Sequence, residues 1–500
     1  MHLPSRTSQC ATQASIRAKL QEIWGYSDFR PPQGDIVQCL LAQRDSLIIM
    51  PTGGGKSICF QLPALLQPGL TLVVSPLVAL MENQVQELRE RHPSLRWSVA
   101  SLHSELSKQQ RRQTLWALEN HKLRLLYLSP ETLLSAPLWE KLCHPALKIN
   151  HLILDEAHCL SQWGDTFRPA YFRLGTVRSA LLQPKPAGSR IAIAAFTATA
   201  DPHTQQTIQR ILQLQQPEVF RLNPYRSNLS LNVQVVWTPR GRRQQLLRFI
   251  QTHGNQAGLV YVRTRRDSEI LAEWLSQQGY RTAAYHAGLS PDERRLIENT
   301  WINDEIQFVV CTNAFGMGIN KPNVRWVAHY HAPSLLSEYI QEVGRAGRDG
   351  RPATALTLIS ETTGLLDSED KQRWQFFENQ TQKHQQMAQQ LVKQLPPQGD
   401  VETVSRQFQG GALALSWLHG AGQLQWQTPF RYELLRSAKT SSLADGNIRA
   451  SQQMAKFLKT RNCRWKFLLS AFGFPAEAQS LQCDRCDNCR KQDKGRGTNP

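Results

Sequence analysis

No stretch of this 500-residue chain is apolar for the roughly 18 residues that a membrane-spanning helix needs, so a transmembrane protein is not expected. The opening MHLPSRTSQCATQ also lacks the apolar core of a secretion signal, which points to a cytoplasmic protein. Acidic residues are in short supply: 40 Asp and Glu stand against 58 Lys and Arg, a formal net charge of +18. An excess of that size favours a polyanionic partner, nucleic acid ahead of an acidic membrane surface. A membrane surface would call for a basic amphipathic helix, and none is evident. Short internal repeats are missing too, which argues against a solenoid. The ten cysteines do not form a disulfide framework. Cys10, Cys39, Cys59, Cys143, Cys159 and Cys311 are scattered, whereas Cys463, Cys483, Cys486 and Cys489 cluster near the end. That is the spacing of a metal site in a reducing compartment.

What is present is an alternation. Between residues 44 and 200, short apolar strands (Ser46–Met50, Leu70–Ser75, Leu123–Leu128, Leu152–Leu154, Arg190–Phe196) alternate with amphipathic helices. Several strands end in small polar turns, the pattern of a parallel sheet with ligand sites at its carboxyl edge. A second series follows Asn228: Asn232–Trp237, Gly258–Val262, Thr282–Tyr285, Phe308–Cys311, Trp326–Tyr330 and Ala355–Ile359, with helices at Arg266–Gln277 and Pro291–Ile302. Two α/β domains are expected, meeting near Leu222–Asn228. From about residue 362, Gln-rich helical sequence replaces the strands.

MPTGGGKS follows the first apolar strand and precedes a helix. Thr52, Gly53, Gly54 and Gly55 let backbone amides close on a phosphate, Lys56 supplies charge for the outer phosphates, and the Ser57 hydroxyl can ligate magnesium. The general pattern has another glycine where this chain has Met50. About a hundred residues on, Asp155 and Glu156 end a strand. Asp155 suits a hard magnesium ion, and Glu156 suits the attacking water.

These motifs and their order resemble a superfamily-2 helicase. WGYSDFRPPQ before the phosphate loop, SQWGDTFRP after DEAH, AFGMGINKPNVR and QEVGRAGRDG resemble the RecQ DNA helicases more closely. The resemblance covers roughly residues 16–360 and resumes at 455–490. It implies two tandem RecA-like domains and ATP-driven, three-prime to five-prime unwinding of DNA, in recombination and repair at the nucleoid. It also implies that Tyr26, Arg30 and Gln33 hold adenine, and that His158 joins Asp155 and Glu156 in hydrolysis and its coupling. Gln341, Arg345 and Arg348 would reach the ATP from the second domain, the two arginines both being candidates to stabilise charge on the transferred phosphoryl group. The second domain lacks a phosphate loop, so one ATP per chain at the domain interface is expected.

Stacking aromatics and arginine are the parts that grip single-stranded nucleic acid. Trp163, Phe167 and Arg168 supply them within a dozen or so residues of Asp155. A strand lying there could shift the DEAH segment, so that hydrolysis runs only with DNA present. Asp165-Thr166 departs from the family's usual His-Asp in this loop. Backbone contacts to DNA are expected from Ser75, Ser129, Thr197 and Thr199 in the first domain, and from Thr264, His286, Thr312 and Asn313 in the second.

In the last third, Cys463, Cys483, Cys486 and Cys489 supply four thiolates for a structural, tetrahedral zinc site. Trp465 and Phe474 stand where the family often has Arg and Glu. Before the zinc, GDVETVSRQF and GGALALSWLHGAG read as two helices and QLQWQTPFRYELL as a hairpin, which suggests a winged helix, a duplex-binding form. The expected domains are 1–224 and 225–362 (RecA-like), 363–454 (helical, with the winged helix), 455–492 (zinc module) and 493–500 (disordered tail). The unwinding wedge, in the second domain or at Gln423–Leu434, is left open. A monomer is favoured, with a single-strand-binding protein or repair factors as candidate protein partners. Replacing Trp163 by Ala should remove the DNA stimulation of ATP hydrolysis and leave ATP binding intact. Undiminished stimulation in a DNA-titrated ATPase assay would contradict the stacking role.

Overall fold

The computed structural model describes residues 13–160, 168–315, 319, 321–361, 366–435 and 443–496. Trp163 and Phe167, with the departing Asp165 and Thr166, lie outside the described residues.

The first domain is built on seven parallel strands: β1 (Ser46–Ile49), β2 (Leu70–Val74), β3 (Val99–Leu102), β4 (Leu125–Leu128), β5 (Ile149–Leu154), β6 (Ala192–Thr197) and β7 (Glu218–Arg221). Their order across the sheet is β3-β4-β2-β5-β6-β1-β7. The central strands are buried along their whole length. This is why they read as continuous apolar runs: helices cover both faces of a parallel sheet. β3 and β7 had no counterpart in the sequence reading. β7 is an edge strand of alternating exposure (EVFR), with too little apolar signal to stand out.

The second sheet holds β8 (Leu229–Val236), β9 (Gly258–Tyr261), β10 (Thr282–Tyr285), β11 (Phe308–Cys311), β12 (Trp326–His329) and β13 (Ala353–Ser360), in the order β10-β11-β9-β12-β13-β8 and again all parallel. The helix Pro291–Ile302 starts on a capping box, in which Ser290 and Glu293 satisfy each other's backbone N–H groups, closing free donors of the first turn.

A third unit follows. The long helix Glu369–Val392 leads into β14 (Gln398–Asp400), the helices Val401–Gln407 and Gly411–Gly420, then β15 (Leu424–Trp426) and β16 (Arg431–Leu434). The three strands form an antiparallel sheet in the order β14-β16-β15. Helix, strand, helix, helix and hairpin, with the first strand paired to the last, is winged-helix topology. Its own core gathers Leu391, Leu395, Val404, Leu415, Trp417, Trp426 and Tyr432. The chain then returns along the helix Leu443–Lys459, which crosses position 454, to the cysteine cluster; a last helix, Asp487–Arg496, runs into the expected tail.

Among the described residues no helix is long and apolar enough to cross a membrane.

Candidate active site and zinc centre

The phosphate loop leaves β1 and enters the helix Lys56–Leu66. Gly53 and Gly55 take positive φ, 83° and 75°, which glycine adopts without steric cost. At Gly55 a side chain would also run into the Gln33 carboxamide. That carboxamide ties the loop to the segment expected to hold adenine: its Nε2 donates to the Gly54 carbonyl (3.0 Å), and its Oε1 accepts from Arg30 N–H (3.0 Å). Tyr26 stands exposed beside it in sequence. Lys56 Nζ donates to the Met50 carbonyl at 3.2 Å, so the residue that departs from the general loop pattern contributes through its backbone.

Asp155 and Glu156 follow β5, beside β2 and β6 in the sheet. Asp155 is buried, and its Oδ1 accepts the backbone N–H of Glu156 at 3.0 Å. Glu156 sits in the left-handed region at φ 53°, which costs a non-glycine residue on the order of 1–3 kcal/mol and persists where surroundings enforce it. Its carboxylate lies 3.1 Å from His158 Nδ1. Burial works to push both carboxyls up, and the pair diverges. Burial and the charge of Glu156 raise Asp155, whereas His158, Lys56 and Arg345 hold Glu156 below the usual carboxylate range. Burial also opposes a charged His158 ring, but Cys159 and Glu156 outweigh it and hold the ring up to about 10. The two groups thus favour each other's charged forms, Glu156 as carboxylate and His158 as a cation.

The second domain closes on this site. The Gln341 carboxamide lies 3.3 Å from His158 Nε2, and Thr52 Oγ1 donates to the Gly344 carbonyl at 3.4 Å. Arg345 is buried and close enough to Glu156 to stabilise its charge. Arg348 donates to the Ile319 carbonyl at 2.9 Å; burial and the neighbouring Arg345 lower it to about 10. Two arginines that the sequence reading did not single out support this loop. Arg226 donates to the carbonyls of Gly344 (3.4 Å), Ala346 (3.2 Å) and Gly347. Arg263 forms a two-pronged pair with Glu342 (3.1 and 2.9 Å), which His329 joins at 2.9 Å.

The candidate DNA contacts divide by exposure. Thr264 and Asn313 are exposed, and Ser129 is half-buried. Thr264 and Ser129 act as helix caps, accepting from the N–H groups of Asp267 and Thr132. Arg168 pairs with Glu131 at 3.2 Å. Ser75, Thr197, Thr199, His286 and Thr312 are buried. Thr197 Oγ1 lies 3.2 Å from His158 Nδ1 and donates to the Thr199 carbonyl at 2.9 Å, which links the DEAH segment to the turn after β6. His286 lies 2.9 Å from Glu269.

The four clustered cysteines come together, with all sulfurs within 4.8 Å of one another. Neighbouring pairs stand at 3.3 Å (Cys463–Cys483), 3.5 Å (Cys486–Cys489) and 3.6 Å (Cys483–Cys489). Tetrahedral zinc with bonds of about 2.3 Å spaces its sulfurs by about 3.8 Å, so the set fits one zinc ion. Beside it, Arg464 pairs with Asp487 (2.5 and 2.8 Å), and Asp487 also accepts from Val233 N–H on β8. Trp465 is buried, donates from Nε1 to the Leu229 carbonyl at 3.2 Å and meets Tyr225 edge-on. Phe474 packs under Arg221. Where the family often has charges, aromatic side chains join the zinc module to both sheets, through an indole hydrogen bond to β8 and an arginine–ring contact with Arg221 of β7.

A phosphate loop on one parallel-sheet lobe, faced across a cleft by arginines of a second, defines a nucleotide-driven motor of the helicase class. Comparison with known proteins narrows this. Residues 30–208 match the model of the DEAD/DEAH box helicases, 241–350 the helicase conserved C-terminal domain, and 430–490 the RecQ zinc-binding family. An ATP-dependent DNA helicase RecQ of Synechocystis is 50% identical over 96% of this chain and 99% of its own length. The RecQ of Pasteurella multocida is 40% identical, over 67% of this chain and 51% of its own. The helicase Lhr of Mycobacterium smegmatis, solved with single-stranded DNA and AMP-PNP, shares the fold: TM-score 0.55, 18% identity, covering 87% of this chain and 60% of that one. The chain belongs to the RecQ family of ATP-dependent DNA helicases.

Metal analysis of the purified protein should find one zinc per chain, lost in Cys486→Ser together with the protease resistance of residues 443–496. Undiminished zinc in that variant would contradict a four-thiolate site.

Proposed function

We propose that this chain is a DNA-stimulated ATPase that moves three-prime to five-prime along single-stranded DNA. It opens duplex or branched DNA in recombination and repair, as a monomer in the cytoplasm at the nucleoid. Its working parts are a first RecA-like lobe (1–224), a second (225–362), a winged-helix region (363–454) and a zinc module (455–492). The observation that carries this reading is the meeting of the two lobes at one site, with Gln341 at 3.3 Å from His158 and Thr52 at 3.4 Å from the Gly344 carbonyl.

In this reading Tyr26, Arg30 and Gln33 hold adenine, and the amides of Gly53 to Gly55 with Lys56 cradle the phosphates. Ser57 and Asp155 would hold magnesium, which neutralises phosphate charge when bound; the buried Asp155 carboxyl, raised by burial and by the neighbouring Glu156 charge, suits a cationic partner. Glu156 stays ionised and orients the attacking water. Phosphoryl transfer passes through a loose transition state, so positioning matters more than a strong base. Arg345 and Arg348 stabilise charge on the moving phosphoryl group. Gln341 senses that state through His158, and Thr197 relays it to the turn after β6. DNA binds through Trp163, Phe167 and Arg168, with Ser75, Ser129, Thr199, Thr264, His286, Thr312 and Asn313 along its backbone. A single-strand-binding protein or repair factors would act alongside.

The test is ATP hydrolysis and strand separation measured together on one duplex carrying either a three-prime or a five-prime tail, with Lys56→Ala as control. Separation of the three-prime-tailed duplex alone is expected, with the Lys56→Ala rate down at least a hundredfold. Equal opening of both substrates would contradict the polarity, and stimulation by RNA alone would contradict the substrate.

A further inference from the structure

The winged helix sits on an excursion whose two ends are both fixed in the second lobe. At its root, the wholly buried Arg242 binds Asp367 (3.0 Å) and Asp370 (3.1 Å), and donates to the Tyr330 carbonyl (2.7 Å) and Ser360 Oγ (2.7 Å). On the return, Met454 and Phe457 of the helix Leu443–Lys459 enter the second lobe's core, with the Phe457 ring 4.7 Å from Tyr339.

Between those anchors the module packs against the first lobe. Ser416 Oγ lies 3.2 Å from the Pro169 carbonyl, and Arg173 donates to the Pro429 carbonyl at 3.3 Å. Trp139 meets Phe430 edge-on at 5.1 Å, and Phe172 meets His419 at 6.0 Å. The helix Gly411–Gly420 occupies the place of a winged helix's groove-reading helix. Here it is buried or half-buried throughout, and its sequence GALALSWLHG holds no lysine or arginine. Burial, helped by Arg210 of the first lobe, drives His419 down to about 3, so that ring adds no charge either. Residues 396–435 carry two basic side chains (Arg406, Arg431) and three acidic ones (Asp400, Glu402, Glu433), one net negative charge in a chain of +18. Duplex binding draws most of its affinity from cations on phosphates, and the groove-reading helix and hairpin within 396–435 are backed by Arg406 and Arg431 alone.

We infer that this winged helix is a strap across the ATP cleft, not a reader of duplex DNA. Rooted in one lobe and docked on the other, it favours the arrangement in which the arginine loop meets the phosphate loop. Opening of the cleft has to loosen the dock or bend the helix Glu369–Val392. Phe430 at the tip of the wing and Trp139 on the first lobe are positioning residues: they act on ATP through the cleft, not by touching it.

The inference rests on the cleft being the ATP site, and the test separates the two. In the full-length zinc-loaded protein, Phe430→Ala and Trp139→Ala remove one contact from opposite sides. An edge-on aromatic pair is worth about 0.5–1.5 kcal/mol, so each variant should raise KM for ATP roughly two- to tenfold, with the double variant no worse than the more affected single. Small-angle X-ray scattering without nucleotide should show both variants expanded relative to the parent, a readout independent of hydrolysis. Arg406→Glu with Arg431→Glu should leave duplex affinity unchanged. Unchanged scattering in both single variants would overturn the strap even if ATPase were normal. A loss of duplex affinity in the charge-reversed variant would restore the duplex-reading role. Absence of ATPase in the parent would count against the cleft alone, and the scattering would still decide the strap.

Discussion

A buried negative charge on Glu156 is the constraint on which the rest of the cleft depends. A carboxylate taken out of water is costly unless cations and hydrogen bonds replace the water. Here the replacement comes from three places: His158 two residues on, Lys56 of the phosphate loop, and Arg345 of the second lobe. No single lobe supplies the whole set. The same electrostatics that keep Glu156 ionised therefore favour the lobes together, and a third acidic oxygen between them, such as a nucleotide's outer phosphate, would draw on the same cations. This is a physical reason for chemistry and lobe closure to be linked.

The second lobe presents its arginines from a stiff platform. Glu342, one residue from Gln341, is buried among Arg263 and His329 and held well below the usual carboxylate range against the opposing effect of burial. Arg226 takes three carbonyls of the loop from Gly344 to Gly347. Side chains fixed in this way lose little freedom when a ligand arrives, which is what positioning requires. The zinc module braces the same lobe from behind: Trp465 and Asp487 both bond the β8 backbone.

Much of this was legible in the sequence, for identifiable reasons. β10, β11 and the helix Pro291–Ile302 fall where the pattern puts them, because each is bounded by strong turn or capping residues. β5 begins three residues before the Leu152–Leu154 run. Asn150 and His151 look like loop, but His151 is satisfied in the core by the Leu40 carbonyl at 2.8 Å and burial holds it neutral, down to about 4. β14 is spelled Gln-Gly-Asp, poor strand formers that only pairing with β16 makes a strand. Lys56, Asp155 and Glu156 could be chosen because glycine-rich loops and paired acids are local signals, whereas Arg345 and Arg348 were pointed to only by the family resemblance of QEVGRAGRDG. Arg226, Arg263 and Arg242 could not be chosen, since the loop carbonyls and acids that fix them lie between 79 and 128 positions away in the chain. Likewise the sequence suggested a winged helix but had no means of showing that its groove-reading helix faces another part of the same chain.

In the proposed mechanism, the contact across the cleft between His158 and Gln341 is the most direct expression of a linkage between hydrolysis and lobe closure. A double-mutant cycle on DNA-stimulated kcat, with His158→Ala, Gln341→Ala and both together, measures it. Each single variant should lose much of the stimulation, and the double variant should be no slower than the slower single, because one removes what the other acts through. Losses that multiply in the double variant would mean that the two residues act independently, and the account of a cleft coupled through them would fail.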